Sequence, residues 1–322
     1  MNELLEKIRG ERFADLTMDA GFKAVLADPE NIDVLKDIVN AFMPEGRKVE
    51  TIEFADRAIR PQIEEGKGVR LDLRCKTTEG QNIIIEMQNQ SSEAFFKRCL
   101  FYCSKAYCYN LKKGEDYDKL QPVYLIAFMV EPLQEPELLQ EHKKVSWYTM
   151  MDAEFKSFAP DVINVIFVRL NEVGSLSECT TAQEKYMYYI SHMNSFKDYP
   201  EENAGTDFER LFLASEKAKF SKEKMTQYDL ELIYELDLKA QIRTATNKGR
   251  IEGLEEGINK GRIEGREEGR EEGLKEGHKE GLVEGPNNGL MDAARAFINS
   301  GMSIAQVASI LNLSEEELAK VK

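Results

Sequence analysis

The chain has 322 residues, 42% hydrophobic and 31% charged, with a formal net charge of −15. That length holds one large domain with appendages, and no apolar run approaches the roughly 20 residues of a membrane-spanning helix. The acidic balance excludes non-specific affinity for nucleic acid spread over the whole surface, but not a local basic cleft.

The charged opening MNELLEKIRGERF has no apolar h-region, so no secretory signal is expected and the chain is read as cytoplasmic. Five cysteines (Cys75, Cys99, Cys103, Cys108, Cys179) without C-x-x-C spacing read as reduced thiols, with Cys99 and Cys103 one helical turn apart in a core.

Residues 17 to 43 read as two helical segments divided at Asp28-Pro29, with Asp28 as N-cap and Pro29 at the first helical position. A strand follows at about 48 to 55. The run from Val69 to Cys75 alternates apolar and charged residues, the period of a half-buried strand. Ile83 to Gln88 is a second strand, and the loop Thr78-Glu79-Gly80 places Gly80 in the left-handed position of a three-residue hairpin. Thr77 then pairs with Gln81, and counting back along both strands sets Asp72 opposite Glu86, with Gln88 on the same face as Glu86.

Two carboxylates on facing positions are destabilising unless something neutralises them. A hard divalent cation does so, because Mg²⁺ and Mn²⁺ take oxygen ligands from one or two carboxylates plus water and phosphate. The plainer alternative is that Asp72 sits on a solvated face and pairs with Arg70 or Arg74, with Glu86 a strand-end charge.

Beyond the hairpin, residues 92 to 111 carry apolar residues at helical spacing, with Ser92 as a candidate cap. The apolar run 122 to 130 (PVYLIAFMV) reads as a central strand buried on both faces. Further strands are expected near 145–150 and 162–169, and helices at 179–193, 205–219 and 221–246.

From Gly249 to Gly289 a glycine recurs at every fourth residue, separated mostly by Glu, Lys and Arg. The charges exclude a membrane glycine zipper. A disordered linker remains open, as does a soluble helix whose bare stripe packs closely on a second copy of the chain, the favoured reading. Pro286 is expected to end that helix near Gly285. Residues 291 to 322 read helix–turn–helix–helix, with Asp292 a cap, Gly301 a stop, and capping boxes at Ser303/Gln306 and Ser314/Glu317. The expected small core joins Phe297, Ile298, Ile304, Val307, Ile310, Leu311, Leu313 and Leu318. The pattern suits a DNA-reading helix-turn-helix, but Glu315-Glu316-Glu317 would meet the phosphates, so a protein-interaction module is favoured. The expected divisions are thus 1–175, an α/β domain; 176–246, a helical region; 247–289, the glycine repeat; and 290–322, a small helical module.

Asp72 followed by Glu86-Met87-Gln88 resembles the PD-(D/E)XK nuclease core, in particular the Rpn (recombination-promoting nuclease) family, a group of transposase-like proteins in which glutamine replaces the usual lysine. Asp19 with Phe22-Lys23, and Arg98 with Tyr102, extend the resemblance, which spans residues 12 to 310. It implies an αβββαβ restriction-endonuclease-like core and a Mg²⁺-dependent endodeoxyribonuclease linked to recombination or phage defence. Asp72, Glu86 and the Met87 carbonyl would then hold the metal, with Gln88 catalytic and Asp19, Lys23, Arg98 and Tyr102 accessory. Expected partners are DNA, a second copy through the glycine repeat, and a shorter C-terminal product started at Met225 or Met291 as regulator. An exposed helical Asp19 and a core tyrosine at 102 are the plainer alternatives for those residues. The competing function is a non-catalytic interaction protein that keeps the nuclease-like fold.

Overall fold

The computed structural model describes residues 8, 10–59, 68–89, 94–111, 113–132, 143–158 and 162–319. They form two compact units, divided between Ala240 and Gln241.

The first unit is built on a six-stranded mixed sheet. Its strands are β1 (Ile52–Phe54), β4 (Leu73–Thr77), β5 (Asn82–Gln88), β6 (Val123–Met129), β7 (Val145–Thr149) and β8 (Ile163–Arg169), in the order β1-β4-β5-β6-β8-β7. β5, β6 and β8 are mutually parallel, and the outer pairings are antiparallel. β2 (Ala58–Ile59) and β3 (Val69–Arg70) make a separate two-stranded ladder.

Every residue of β6 is buried, as its unbroken apolar run requires of a central strand. On one sheet face lie α1 (Asp19–Leu26), α2 (Ile32–Phe42), α4 (Ala182–His192), α5 (Asp207–Ser215) and the opening turns of α6 (Lys222–Asn299). On the other lies α3 (Phe95–Tyr109), which buries Phe95, Cys99, Cys103 and Ala106 against Ile84, Leu125 and Phe167. Asp28 caps the turn at Pro29–Asn31 by accepting from the Glu30 amide at 2.9 Å. The residue preceding α3 is Ala94, with φ 57°; Ser92 lies outside the described residues.

The Val69–Cys75 run is not one strand. The chain bends at Leu71–Asp72, where the Leu71 amide donates to the Arg57 carbonyl (2.9 Å) and so belongs with the small ladder, while Leu73 starts β4. Arg74 is buried rather than solvent-facing, because its guanidinium donates to Asn82 Oδ1 at 2.8 and 3.1 Å.

Gly21 decides how α1 seats. A Cβ there would lie 1.9 Å from the Asp15 carbonyl oxygen, a backbone atom that cannot swing aside. Asp15 is itself fixed, accepting from the Thr17 amide and hydroxyl and from Asn194. Gly21→Ala is therefore expected to destabilise the protein by roughly 2–4 kcal/mol. Urea denaturation checks this, and an alanine variant as stable as wild type would contradict it.

The glycine repeat lies within α6, which runs through Pro286 to Asn299. The expected stop at Pro286 is thus corrected, and Gly289 is helical. The proline removes one hydrogen bond, at about 3 kcal/mol. Beyond it, Met291, Ala294, Phe297 and Ile298 on the same helix pack against α7 (Ile304–Leu311) and α8 (Glu315–Ala319), which holds the helix past the break. Asp292 is accordingly mid-helix, paired with Arg295 at 3.4 Å, and not a cap. Gly301 (φ 96°) ends α6 in a Schellman motif, its amide donating to Ile298 and that of Met302 to Phe297. Both capping boxes are present. Ile310, placed in the terminal core by its spacing, is 57% exposed.

Candidate active site

The β4–β5 hairpin sets the geometry. Gly80 has φ 85°, its amide donates to the Thr77 carbonyl (2.9 Å), and Thr77 donates to Gln81 (3.0 Å). The register Leu73↔Ile85 through Lys76↔Asn82 follows, and one step further brings Asp72 to Glu86. There the ladder stops, because each carboxylate takes a backbone amide of the other strand. The Asp72 amide donates to Glu86 Oε1 at 3.2 Å, and the Met87 amide donates to Asp72 Oδ2 at 3.0 Å. The plainer alternative, Asp72 paired with Arg70 or Arg74 on a solvated face, is not what forms.

Three elements converge on this pair. α1 carries Asp19 and Lys23 one turn apart; Lys23 Nζ lies 2.5 Å from Asp19 and 3.9 Å from Asp72. α3 carries Arg98 and Tyr102 one turn apart. Arg98 donates to Gln88 Oε1 and stacks over Phe95 at 4.7 Å. Its Nε is buried without a hydrogen-bond partner among the described residues. Tyr102 packs half-buried, and burial, then Glu86, raise its hydroxyl pKa.

The electrostatics leave the pair unsatisfied. Glu86 is 7% exposed. Burial first, and Asp72 second, push its carboxyl up to about 8, against the lowering pull of the Asp72 amide, Arg98 and Lys23. Burial, then Asp19, also raises Asp72, opposed by the Met87 amide. The two acids behave as a unit that holds a proton near neutrality. A carboxyl raised above its unfolded value of 4.5 contributes stability that is full below that value and lost as pH climbs through about 8. The metal-free protein should therefore lose stability across that window at up to about 1.4 kcal/mol per pH unit. Urea melts of wild type and Glu86→Gln at pH 5 to 8.5 check it; parallel profiles would contradict the shared proton.

Two side-chain carboxylates fit a divalent cation that completes its shell with water and phosphate, and burial holds both above the ordinary carboxylate range despite Lys23 and Arg98 nearby. Among the described residues no group of three or more His, Cys, Asp or Glu is arranged to hold a metal ion. Asp19 is held by Lys23 and forms no such trio with the pair.

Sequence reasoning missed the support behind the site. Asn89, next to Gln88, donates to the Thr17 carbonyl (2.9 Å) and to Glu235 Oε1 (3.5 Å), and the Ala20 amide at the start of α1 donates to Glu235 Oε2 (3.4 Å). Glu235 thus ties α6 to the ends of β5 and α1. It was also silent on Arg57, whose Nη1 donates to the Asp72 carbonyl at 3.4 Å. Such contacts join residues up to 215 apart in sequence and leave no local pattern.

Searches of curated proteins and of solved structures returned no match. A family model described as PD-(D/E)XK nuclease family transposase matches residues 16–245. The match takes in Asp19, the hairpin, α3 and the start of α6, and stops short of the glycine repeat and the terminal helices. It covers well over half of the chain, and this protein belongs to the PD-(D/E)XK nuclease family transposases.

Proposed function

We propose that the chain is a divalent-metal-dependent DNA endonuclease centred on Asp72 and Glu86. The observation that carries this reading is the pair of hydrogen bonds by which the Asp72 and Met87 amides donate to the Glu86 and Asp72 carboxylates, setting two acids side by side with Glu86 buried. Asp72 and Glu86 would hold Mg²⁺ or Mn²⁺, with the Met87 carbonyl as a further oxygen. Such an ion stabilises charge on a phosphate and lowers the pKa of water. Glu86 must give up its proton for this, so affinity should rise with pH toward about 8.

Gln88 can orient water but brings no charge. The cationic work then falls to Arg98, held against Gln88, and to Lys23, between Asp19 and Asp72. Tyr102 and Arg98 would brace DNA phosphates from α3. The activity would serve recombination, mobile elements or phage defence, and the family's description as transposases supports the mobile-element reading. The test is incubation of supercoiled plasmid with the full chain in Mg²⁺ or Mn²⁺, and in EDTA. Nicked or linear plasmid in the metal lanes alone is expected; intact plasmid in every lane overturns the reading.

The tail would assemble copies of the chain. Residues 241–282 and 285–290 of α6 are exposed, and a Cβ on any glycine from 249 to 289 would meet nothing within 4 Å. Among the described residues nothing near these positions requires glycine. Each glycine costs a helix about 1 kcal/mol relative to alanine, so a partner helix lying on the stripe is the compensation we infer. Glu252, Glu256, Glu264 and Glu268 precede their glycines, with Lys248 and Lys260 as exceptions, while Leu254, Ile258, Arg262 and Arg266 follow theirs, giving the stripe a mainly acidic flank and an apolar-to-basic one. α8 opens with Glu315–Glu316–Glu317, which favours a protein partner for the terminal module over DNA. A shorter product begun at Met225 or Met291 would carry that module as a regulator.

A further inference from the structure

A cleft of about 480 Å³ opens between α1, the end of β1, the start of β4 and the first turns of α6, and its lining residues Lys23, Arg57 and Leu73 adjoin Asp72. Its size lies within the ~300–1,000 Å³ of small-molecule sites. The cleft exists because α1 turns Ala20, Ala24 and Ala27 toward α6 at helical spacing, so no side chain fills the gap. Phe54, partly buried, flanks this apolar floor.

The cations in the cleft are not alike. Lys224 is neutralised by Asp28 at 2.6 Å, and Arg74 is bound to Asn82. Lys23 is shared between Asp19 at 2.5 Å and the Asp72 carboxylate at 3.9 Å, and Arg57 donates to the Asp72 carbonyl. Among the described residues Arg57 has no carboxylate partner. On the α6 side Gln227 donates to Glu231 at 3.0 Å, and with Glu223 the pair gives the cleft a polar lining. A cation without a carboxylate partner among the described residues, an apolar alanine lining with an aromatic ring and a polar α6 side suit an anion attached to a planar heterocycle.

We propose that this cleft receives one unpaired nucleotide of the DNA strand adjoining the phosphodiester at Asp72, with its phosphate on Arg57 and Lys23 and its base on the alanine floor beside Phe54. The inference takes the source of the nucleotide from the nuclease reading, but its test does not depend on cleavage. A strand with an unpaired end or an extruded base would be preferred over continuous duplex, since only an unstacked base can enter.

The experiment measures anisotropy of labelled DNA with the full chain in EDTA, comparing a blunt duplex with one bearing a three-nucleotide single-stranded tail, and dTMP as competitor. The tailed duplex should bind at least about tenfold tighter than the blunt one, the scale of a stacked base. Ala24→Leu and Ala27→Leu, which fill the floor, and Arg57→Ala, which removes the mouth cation without touching the core, should each abolish most of that preference. Equal binding of the two duplexes, or a preference surviving Arg57→Ala and both filling variants, overturns the inference. So does dTMP binding as tightly as the tailed duplex, which would make this a free-nucleotide site. Plasmid cleavage by a chain lacking tail preference sinks this inference alone, and tail preference in a chain that cuts nothing sinks the nuclease reading alone.

Discussion

Asp72→Asn and Glu86→Gln are each expected to lower metal-dependent plasmid cleavage by ~10³-fold or more while leaving the fold intact. The two carboxylates sit at the ends of strands whose registers are fixed by Gly80 and by the pairs from Leu73↔Ile85 to Lys76↔Asn82, so neither side chain is needed to form the hairpin. Each substitution keeps an oxygen acceptor for the amide that its carboxylate now serves. Each also removes one of two crowded acids, so metal-free stability should equal or exceed that of wild type above neutral pH. Loss of cleavage would then report lost chemistry and not lost structure. Gln88 belongs in the same series. Gln88→Lys should keep part of the activity by restoring a cation, and Gln88→Ala, which releases Arg98, should lose more. Full cleavage by both Asp72→Asn and Glu86→Gln would move the reaction away from this hairpin.

The second large effect concerns the tail. Gly261→Leu and Gly269→Leu should weaken self-association of the full chain, whereas Glu264→Leu and Glu268→Leu should not. Leucine has the higher intrinsic helix propensity by roughly 0.8 kcal/mol per site. An unpartnered helix would therefore gain helicity, and with nothing within 4 Å of either glycine it would meet no clash. A seam between two copies responds in the opposite sense, because the added side chain holds the backbones apart and forfeits close contacts. Sedimentation equilibrium with circular dichroism separates the two. A monomeric wild-type chain, or stripe variants that associate as well as the flanking controls, would remove the seam.

The hairpin was legible because two independent signals coincide: a glycine that fixes loop type, and apolar residues that fix which face is inward. The central strand β6 was legible because it has no polar residue to place. The bend at Leu71–Asp72 was not, since V-R-L-D-L-R-C keeps its alternation straight through it, and the strand is broken by the tertiary bond from Leu71 to Arg57 and by the amide-to-carboxylate bonds of Asp72 and Glu86. Arg74 looked solvent-facing for the same reason; its partner Asn82 lies across the ladder and carries no sequence signal. Pro286 and Asp292 followed local rules for helix ends that packing at Ala294, Val307 and Leu318 overrides. At the site, Asp72, Glu86 and the contact of Arg98 with Gln88 come from residues the pattern had singled out, while Asn89, Glu235 and Arg57 enter only through contacts distant in sequence.

Metal binding at the hairpin is read out by calorimetric titration of the metal-free full chain with Mn²⁺, in buffers of different ionisation enthalpy at pH 7, set beside plasmid cleavage. Mn²⁺ should bind at the hairpin pair with release of about one proton, from the unit in which Glu86 is raised to about 8. Asp72→Asn and Glu86→Gln should abolish binding and cleavage together. Undiminished Mn²⁺ binding and cleavage in the Asp72→Asn, Glu86→Gln double variant would contradict it.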